Sequence, residues 1–262
     1  IYMFIPMIST IIIVKKIDKK KIKETLSISF KINKWFIVAW IITPLISLIT
    51  FGISLLFTDV NYAPQMTGMI KRFESILTLE QIEQLKSTIN TFPIHPFWIS
   101  LIQGLIAGTT INAAIAFGEE IGWRGFLLKE LENMNFLRAS VIIGFIWGIW
   151  HAPLILLGHN YPQHPLLGII MMTVWCIIWT PLFNYITIKA KSVIAAAIMH
   201  GTLNGTAGIS IMLIDGGNDL TVGLTGLSGI IAVSIVLLCL FIYDKKISKN
   251  RIMSDKILNH LH

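Results

Sequence analysis

Charge is what this sequence has least of. Only 13% of its 262 residues are Asp, Glu, Lys or Arg, about half the share of an ordinary soluble domain. The shortage is concentrated: no charged residue occurs in 1–14, 35–58, 87–118, 139–188, 192–214 or 220–243, which together hold 167 residues. Most of these stretches meet the requirement of about 20 apolar residues for one bilayer span, and 139–188 is long enough for two. A soluble domain, a DNA-binding domain and a disordered chain are thereby excluded. Cysteine is also scarce. The two present, Cys176 and Cys239, sit inside apolar stretches, which argues against a disulfide framework or a cysteine metal cluster. The HExxH signature of zinc peptidases is missing, and so is any repeat of solenoid length.

What is present reads as an all-α, polytopic helix bundle forming one membrane domain over 1–262. Seven apolar segments stand out, at 1–14, 35–57, 97–128, 139–158, 166–187, 192–213 and 222–243. In lipid they must be helices, because nothing else there satisfies the backbone. The first is short for a span and is expected to be the remainder of a longer helix. The basic residues set orientation. Eight lie in the loop 15–34, three around 118–138 (Arg124, Lys129, Arg138), two at Lys189 and Lys191, and five in the tail 244–262. In a seven-span arrangement, 18 of 21 basic residues share one side, which the positive-inside rule assigns to the cytoplasm. The net charge of +7 thus reflects anionic lipid, and no nucleic-acid partner is expected. The outside loop 58–96 contains Thr78, Leu79, Ile82, Leu85 and Ile89 in helical register, a pattern for an amphipathic helix lying on the membrane.

Ionisable residues inside spans cost roughly 2.5–3.5 kcal/mol each on insertion scales, so the few present are candidates for function. They fall in three motifs: Glu119-Glu120-Ile121-Gly122-Trp123-Arg124, Trp147 to His151, and His200 to Asn204. Glu120 and Arg124 are four apart on one helical stripe and are placed to form an ion pair. Glu119 points about 100° away and is the acid without a local ionic partner, free to serve as a general base. His200 and Asn204 share a face and together offer donors for an oxyanion. Each motif overlaps a close-packing GxxxG pair (Gly118/Gly122, Gly144/Gly148, Gly201/Gly205). Depth places His200 about eight residues, or roughly 12 Å, inside the cytoplasmic end of its helix. Glu119 matches that depth only if its helix runs on to about Leu128 and is tilted or bent. These constraints predict a polar cavity in the cytoplasmic half, with a catalytic core over 97–213.

EExxxR, an aromatic four before a histidine, and HxxxN, in that order on successive membrane helices, resemble the CAAX protease and bacteriocin-processing (CPBP, or Abi) family. The resemblance covers about residues 97–210. It implies an intramembrane glutamic endopeptidase of the cell membrane, acting on a membrane-associated peptide or protein, with no cofactor and no metal. Glu119 and His151 would activate water, His200 and Asn204 would hold the oxyanion, and Glu120 and Arg124 would support the site. Trp147 stands where the family commonly has Phe, a change expected to alter packing more than chemistry.

Two other readings remain open at the level of sequence. One is a non-catalytic bacteriocin-immunity or peptide-binding membrane protein using the same cavity. The other is a zinc-dependent peptidase with Glu119, His151 and His200 as ligands. A transporter lacks the expected repeat symmetry. His95, His159 and His164 are expected in ordinary turn roles, Asp215 and Asp219 flank a turn rather than a calcium loop, and Asn112 is a candidate for lining the cavity.

Overall fold

A computed structural model describes residues 2–73, 78–91 and 93–260. The first residue of the first apolar segment, parts of the loop 58–96 and the end of the tail therefore lie outside the described residues. The chain opens with α1 (Ile5–Ile12), which runs through a π-helical turn at Ile13–Ile17 into the short α2 (Ile22–Thr25). The spanning helix α3 (Lys34–Ser54) follows, started by Asn33, whose side chain accepts from the Trp35 N–H. On the far side lie β1 (Val60–Tyr62), α4 (Thr67–Phe73) and α5 (Leu79–Thr91). α5 is the amphipathic helix expected there. Thr78 and Gln81 cap it reciprocally, with Thr78 N–H donating to Gln81 Oε1 at 2.8 Å and Gln81 N–H donating to Thr78 Oγ1 at 3.2 Å.

The third apolar segment, expected to be tilted or bent, is bent. It consists of α6 (Pro96–Thr109) and α7 (Ile111–Glu120), joined at Thr110, and the axis turns by 51° between the two halves. A π-helical stretch, Ile121–Leu127, and the single turn α8 (Leu128–Glu130) carry it onward. Then come α9 (Phe136–Trp150), α10 (Ala152–Leu156), α11 (Pro165–Ala190), α12 (Val193–Thr206), β2 (Ile214–Gly216) and α13 (Leu227–Lys246).

Among the described residues four helical stretches are long and apolar enough to cross a membrane, or five with the bent pair counted as one span. Two of the seven expected segments are shorter in the structure. α1 has 8 residues, and α12 has 14 and gives way to a 3-10 turn at Ala207–Ser210. At 1.5 Å per residue α12 covers about 21 Å, less than a bilayer core. It has little need of lipid, since it is buried against α3, α6 and α7. The spanning helices wear their hydrophobicity on the outside. Ile37, Ile41, Leu45 and Leu48 on α3, and Leu227, Ile231, Ile235 and Leu238 on α13, are exposed at helical spacing, while Thr43, Ser47, Thr50 and Ser54 are buried. That inversion is what a lipid solvent selects, because small residues let backbones approach and apolar bulk faces the acyl chains.

The two ends of the bundle are distinct. At one end the basic segments tie to one another: Ser192 Oγ donates to Ser29 O, Asn33 Nδ2 to Ala190 O at 3.1 Å, Lys189 Nζ to Ser248 Oγ at 3.1 Å, and Leu258 N–H to Glu132 O at 2.8 Å. At the other, β1 pairs antiparallel with β2, Val60 opposite Gly216 and Tyr62 opposite Ile214. Part of the turn expected around Asp215 is therefore a strand. Gly216 and Gly217, at φ +98° and +64°, make the reversal that follows, a conformation open to glycine.

Candidate active site

α7 ends in the acid pair, and the π-helical turn after it presents Trp123 and Arg124 inward. Such wide turns occur mostly as local insertions and frequently at functional sites. Glu120 and Arg124 are fully buried and paired, Nη1 to Oε1 at 3.2 Å. The guanidinium is held on three sides: Nη2 donates to Thr180 Oγ1 at 3.3 Å, and its carbon lies 4.5 Å from the Trp147 ring centroid and 4.4 Å from that of Phe183. Aromatic faces replace some of the solvation a buried cation loses. Glu120 Oε1 also receives His200 Nδ1 at 2.7 Å. The His200–Glu120–Arg124 chain therefore links α12 to α7 and the π turn, and Arg124 extends it to α11.

Glu119 is equally buried and has no cation within salt-bridge distance among the described residues. Its Oε2 accepts the indole N–H of Trp147 at 2.9 Å and that of Trp123 at 3.5 Å. The expectation that tryptophan at 147 alters packing more than chemistry is therefore corrected. Phenylalanine has no N–H, whereas Trp147 hydrogen-bonds the carboxylate proposed as base. The same indole touches the other parties, with ring centroids 5.7 Å from His151 and 5.7 Å from His200.

His151, at the end of α9, places Nδ1 2.8 Å from Trp147 O. A carbonyl only accepts, so the proton sits on Nδ1 and the neutral ring presents the Nε2 lone pair. His200 Nδ1 is likewise engaged by a carboxylate. Both rings are thus fixed with Nε2 as the working nitrogen. Tyr2, from the start of the chain, donates to Trp150 O and stacks on its ring at a centroid distance of 4.1 Å.

Glu119, Glu120, Arg124 and His200 are gathered in one buried cluster, and His151 joins it through Trp147. Asn204 is exposed one turn beyond His200 and makes no hydrogen bond to these residues among those described. Asn112 Nδ2 donates to Gly201 O at 3.3 Å, stitching α7 to α12. His95 caps α6, accepting the Phe97 N–H at 3.1 Å, and His164 pairs with Asp219 at 2.6 Å. Trp123, Thr180, Phe183 and Tyr2 are participants that sequence reasoning missed. The only signal for Trp123 was its place four residues after Glu119. Among the described residues no group of three or more His, Cys, Asp or Glu side chains is arranged to hold a metal ion, so the set Glu119, His151 and His200 does not converge as ligands.

All three motifs lie within or beside the segment that matches a known family. Residues 93–206 match the family described as Type II CAAX prenyl endopeptidase Rce1-like. A curated relative, CAAX prenyl protease 2 of Methanococcus maripaludis, is 29% identical over 143 residues, covering 49% of this chain and 46% of the relative. The match thus spans about half the length of that relative. Together with the helix bundle, these similarities show a multi-pass membrane protein whose residues 93–206 are similar to the Rce1-like Type II CAAX prenyl endopeptidases.

Proposed function

We propose that the protein is an intramembrane glutamic endopeptidase that hydrolyses a peptide bond of a membrane-associated peptide or protein. The reading rests above all on Glu119, a buried carboxylate oriented by two indole N–H groups and without a cation within salt-bridge distance among the described residues. A buried charge is ordinarily paired. Here the neighbouring acid takes both nearby cationic groups, and Glu119 is reserved for something else.

In the proposed reaction Glu119 takes a proton from a water held against His151 Nε2, and the hydroxide adds to the scissile carbonyl carbon. His200, with Asn204 turned inward, donates to the oxyanion. For that role His200 carries a proton on each ring nitrogen, and Glu120 at 2.7 Å balances the charge. The four groups Glu119, Glu120, Arg124 and His200 then sum to zero, which suits a low-dielectric site. When the tetrahedral intermediate collapses, the C–N bond breaks and the proton held by Glu119 passes to the leaving amine, giving a carboxylic acid and an amine. Glu120 and Arg124 position His200 and do not touch the reacting atoms. The basic residues gathered at that end of the bundle support a site in the cytoplasmic half of the cell membrane.

The test is a comparison of membrane peptides from cells expressing the intact protein or Glu119→Gln. Cleaved products present with the first and absent with the second are expected. Identical peptide profiles would overturn catalysis and leave peptide binding or immunity as the role. Activity lost to a chelator and restored by zinc would overturn the glutamate mechanism.

A further inference from the structure

On the basic end of the bundle, beyond the acid pair, lies a cavity of about 100 Å³ whose polar wall is formed by Ser27, Arg124, Lys129, Thr187, Lys191 and His260. Its composition is one-sided. Two lysines and an arginine converge with two hydroxyls, and no carboxylate lines it among the described residues. Lys129 and Lys191 enter no ion pair among the described residues. Arg124 is the more telling member, because its Nη atoms are used by Glu120 and Thr180 while Nε is buried without a partner among the described residues. Leaving a buried charged donor unmet is expensive, and this one belongs to a side chain that is 1% exposed and borders the cavity. The donors suit a group with several acceptor oxygens and more negative charge than one cation would neutralise. The position selects its source. Lys129 lies in the single turn α8 and Lys191 just past the end of α11, on the same end of the bundle as the loop 15–34 with its eight lysines, the end that the positive-inside rule sets against the cytoplasmic headgroups. Basic pockets between helices on that side are suited to anionic headgroups.

We propose that this cavity binds a phosphate group presented by an anionic phospholipid, held by Lys129, Lys191 and the free Nε of Arg124. The site is separate from the reaction centre and touches it through Arg124, whose other nitrogens hold Glu120. Phosphate bound here would therefore steady the guanidinium that positions His200. The proposal does not require that the protein cleave peptides.

The intact protein is purified in detergent, and its thermal unfolding midpoint is titrated with phosphatidylglycerol, phosphatidylcholine and inorganic phosphate. Phosphatidylglycerol is expected to raise the midpoint saturably and phosphatidylcholine is not. In Lys129→Gln/Lys191→Gln the apparent affinity should fall about thirtyfold, taking ~1 kcal/mol per lysine, and Lys129→Arg/Lys191→Arg should restore it. Lys249→Gln/Lys256→Gln, which removes the same charge from the tail, should leave it unchanged. Stabilisation by inorganic phosphate alone, lost in the same variant, would support the phosphate site and assign it a soluble source. Equal weakening by both glutamine pairs would overturn the proposal in favour of diffuse attraction. Stabilisation by a peptide with a free C-terminal carboxylate, and not by either phosphate, would overturn it in favour of a substrate subsite.

Discussion

Both oxygens of Glu119 have separate fates. Oε2 takes the two indole N–H groups, and Oε1 accepts no hydrogen bond among the described residues, so the carboxylate is aimed through one oxygen and available through the other. A hydrogen bond to a charged group contributes about 1.5–3 kcal/mol, so Trp147→Phe should lower kcat by about tenfold to a hundredfold. The ring still packs on Arg124 and the histidines in that variant. Trp123→Phe, which removes the longer contact, should cost less. Peptidase kinetics on the two variants check this, and a Trp147→Phe enzyme equal to the parent would remove the indole from the mechanism. Outside the membrane, Lys71 lies 2.8 Å from Asp215, and its hydrogen bond and charge hold the aspartate below the usual carboxylate range. A lowered folded-state value adds stability above the unfolded value of about 3.9, and the gain is lost as pH falls through the folded value. Unfolding of Lys71→Met should therefore differ from the parent near neutrality and converge with it in acid. Glu119, Glu120, Arg124, His151 and His200 were legible because charge is so rare in the chain. Trp147 was legible as the aromatic of its motif but its hydrogen bond was not, since one tryptophan among eight announces its size and not where its N–H points.

Among the elements, α12 depends most on glycine. Gly201 and Gly205 face Gly104 and Gly108 of α6: a Cβ added at Gly201 would lie 2.5 Å from Gly108 O, and one at Gly104 would lie 2.3 Å from Gly205 O. The pair Gly201/Gly205 was readable as a close-packing motif, but its partner was recognisable only once the helices were docked. Gly104→Ala forces the two backbones apart and should destabilise the bundle by ~1–3 kcal/mol. Gly52→Ala on α3 meets nothing within 4 Å and should be neutral or stabilising by up to ~1 kcal/mol through helix propensity alone. Unfolding in mixed detergent micelles compares them, and equal behaviour would mean that α6 and α12 do not need this contact. A tilt or bend in this segment was foreseeable because matching the depth of Glu119 to His200 demanded too long a helix, but its place at Thr110 was not. The β1–β2 pair was not, because a three-residue strand leaves no periodicity to read.

At the scale of the whole molecule the ends of the bundle carry opposite instructions. The segments that hydrogen-bond together at one end, 27–33, 132–135, 189–193 and 244–258, adjoin nearly all the basic residues, while Lys71, Arg72 and Lys86 lie toward the other. This is the division that counting lysines and arginines predicted, reached independently through contacts between segments distant in sequence. Two apolar segments proved short, but the alternation of ends survives because α1 and α12 still carry the chain between levels of the bundle. The asymmetry therefore predicts orientation more firmly than the number of full-length spans does. Cysteines introduced one at a time at Gln84 and Lys249, both exposed, in a background that lacks the exposed Cys239 and keeps only the buried Cys176, separate the outcomes. An impermeant maleimide applied to intact cells should label Gln84→Cys at once and Lys249→Cys only after lysis. The reverse pattern would put the Arg124 end, and with it the reaction centre, on the outer side, and the proposed substrates would then have to be sought outside the cell.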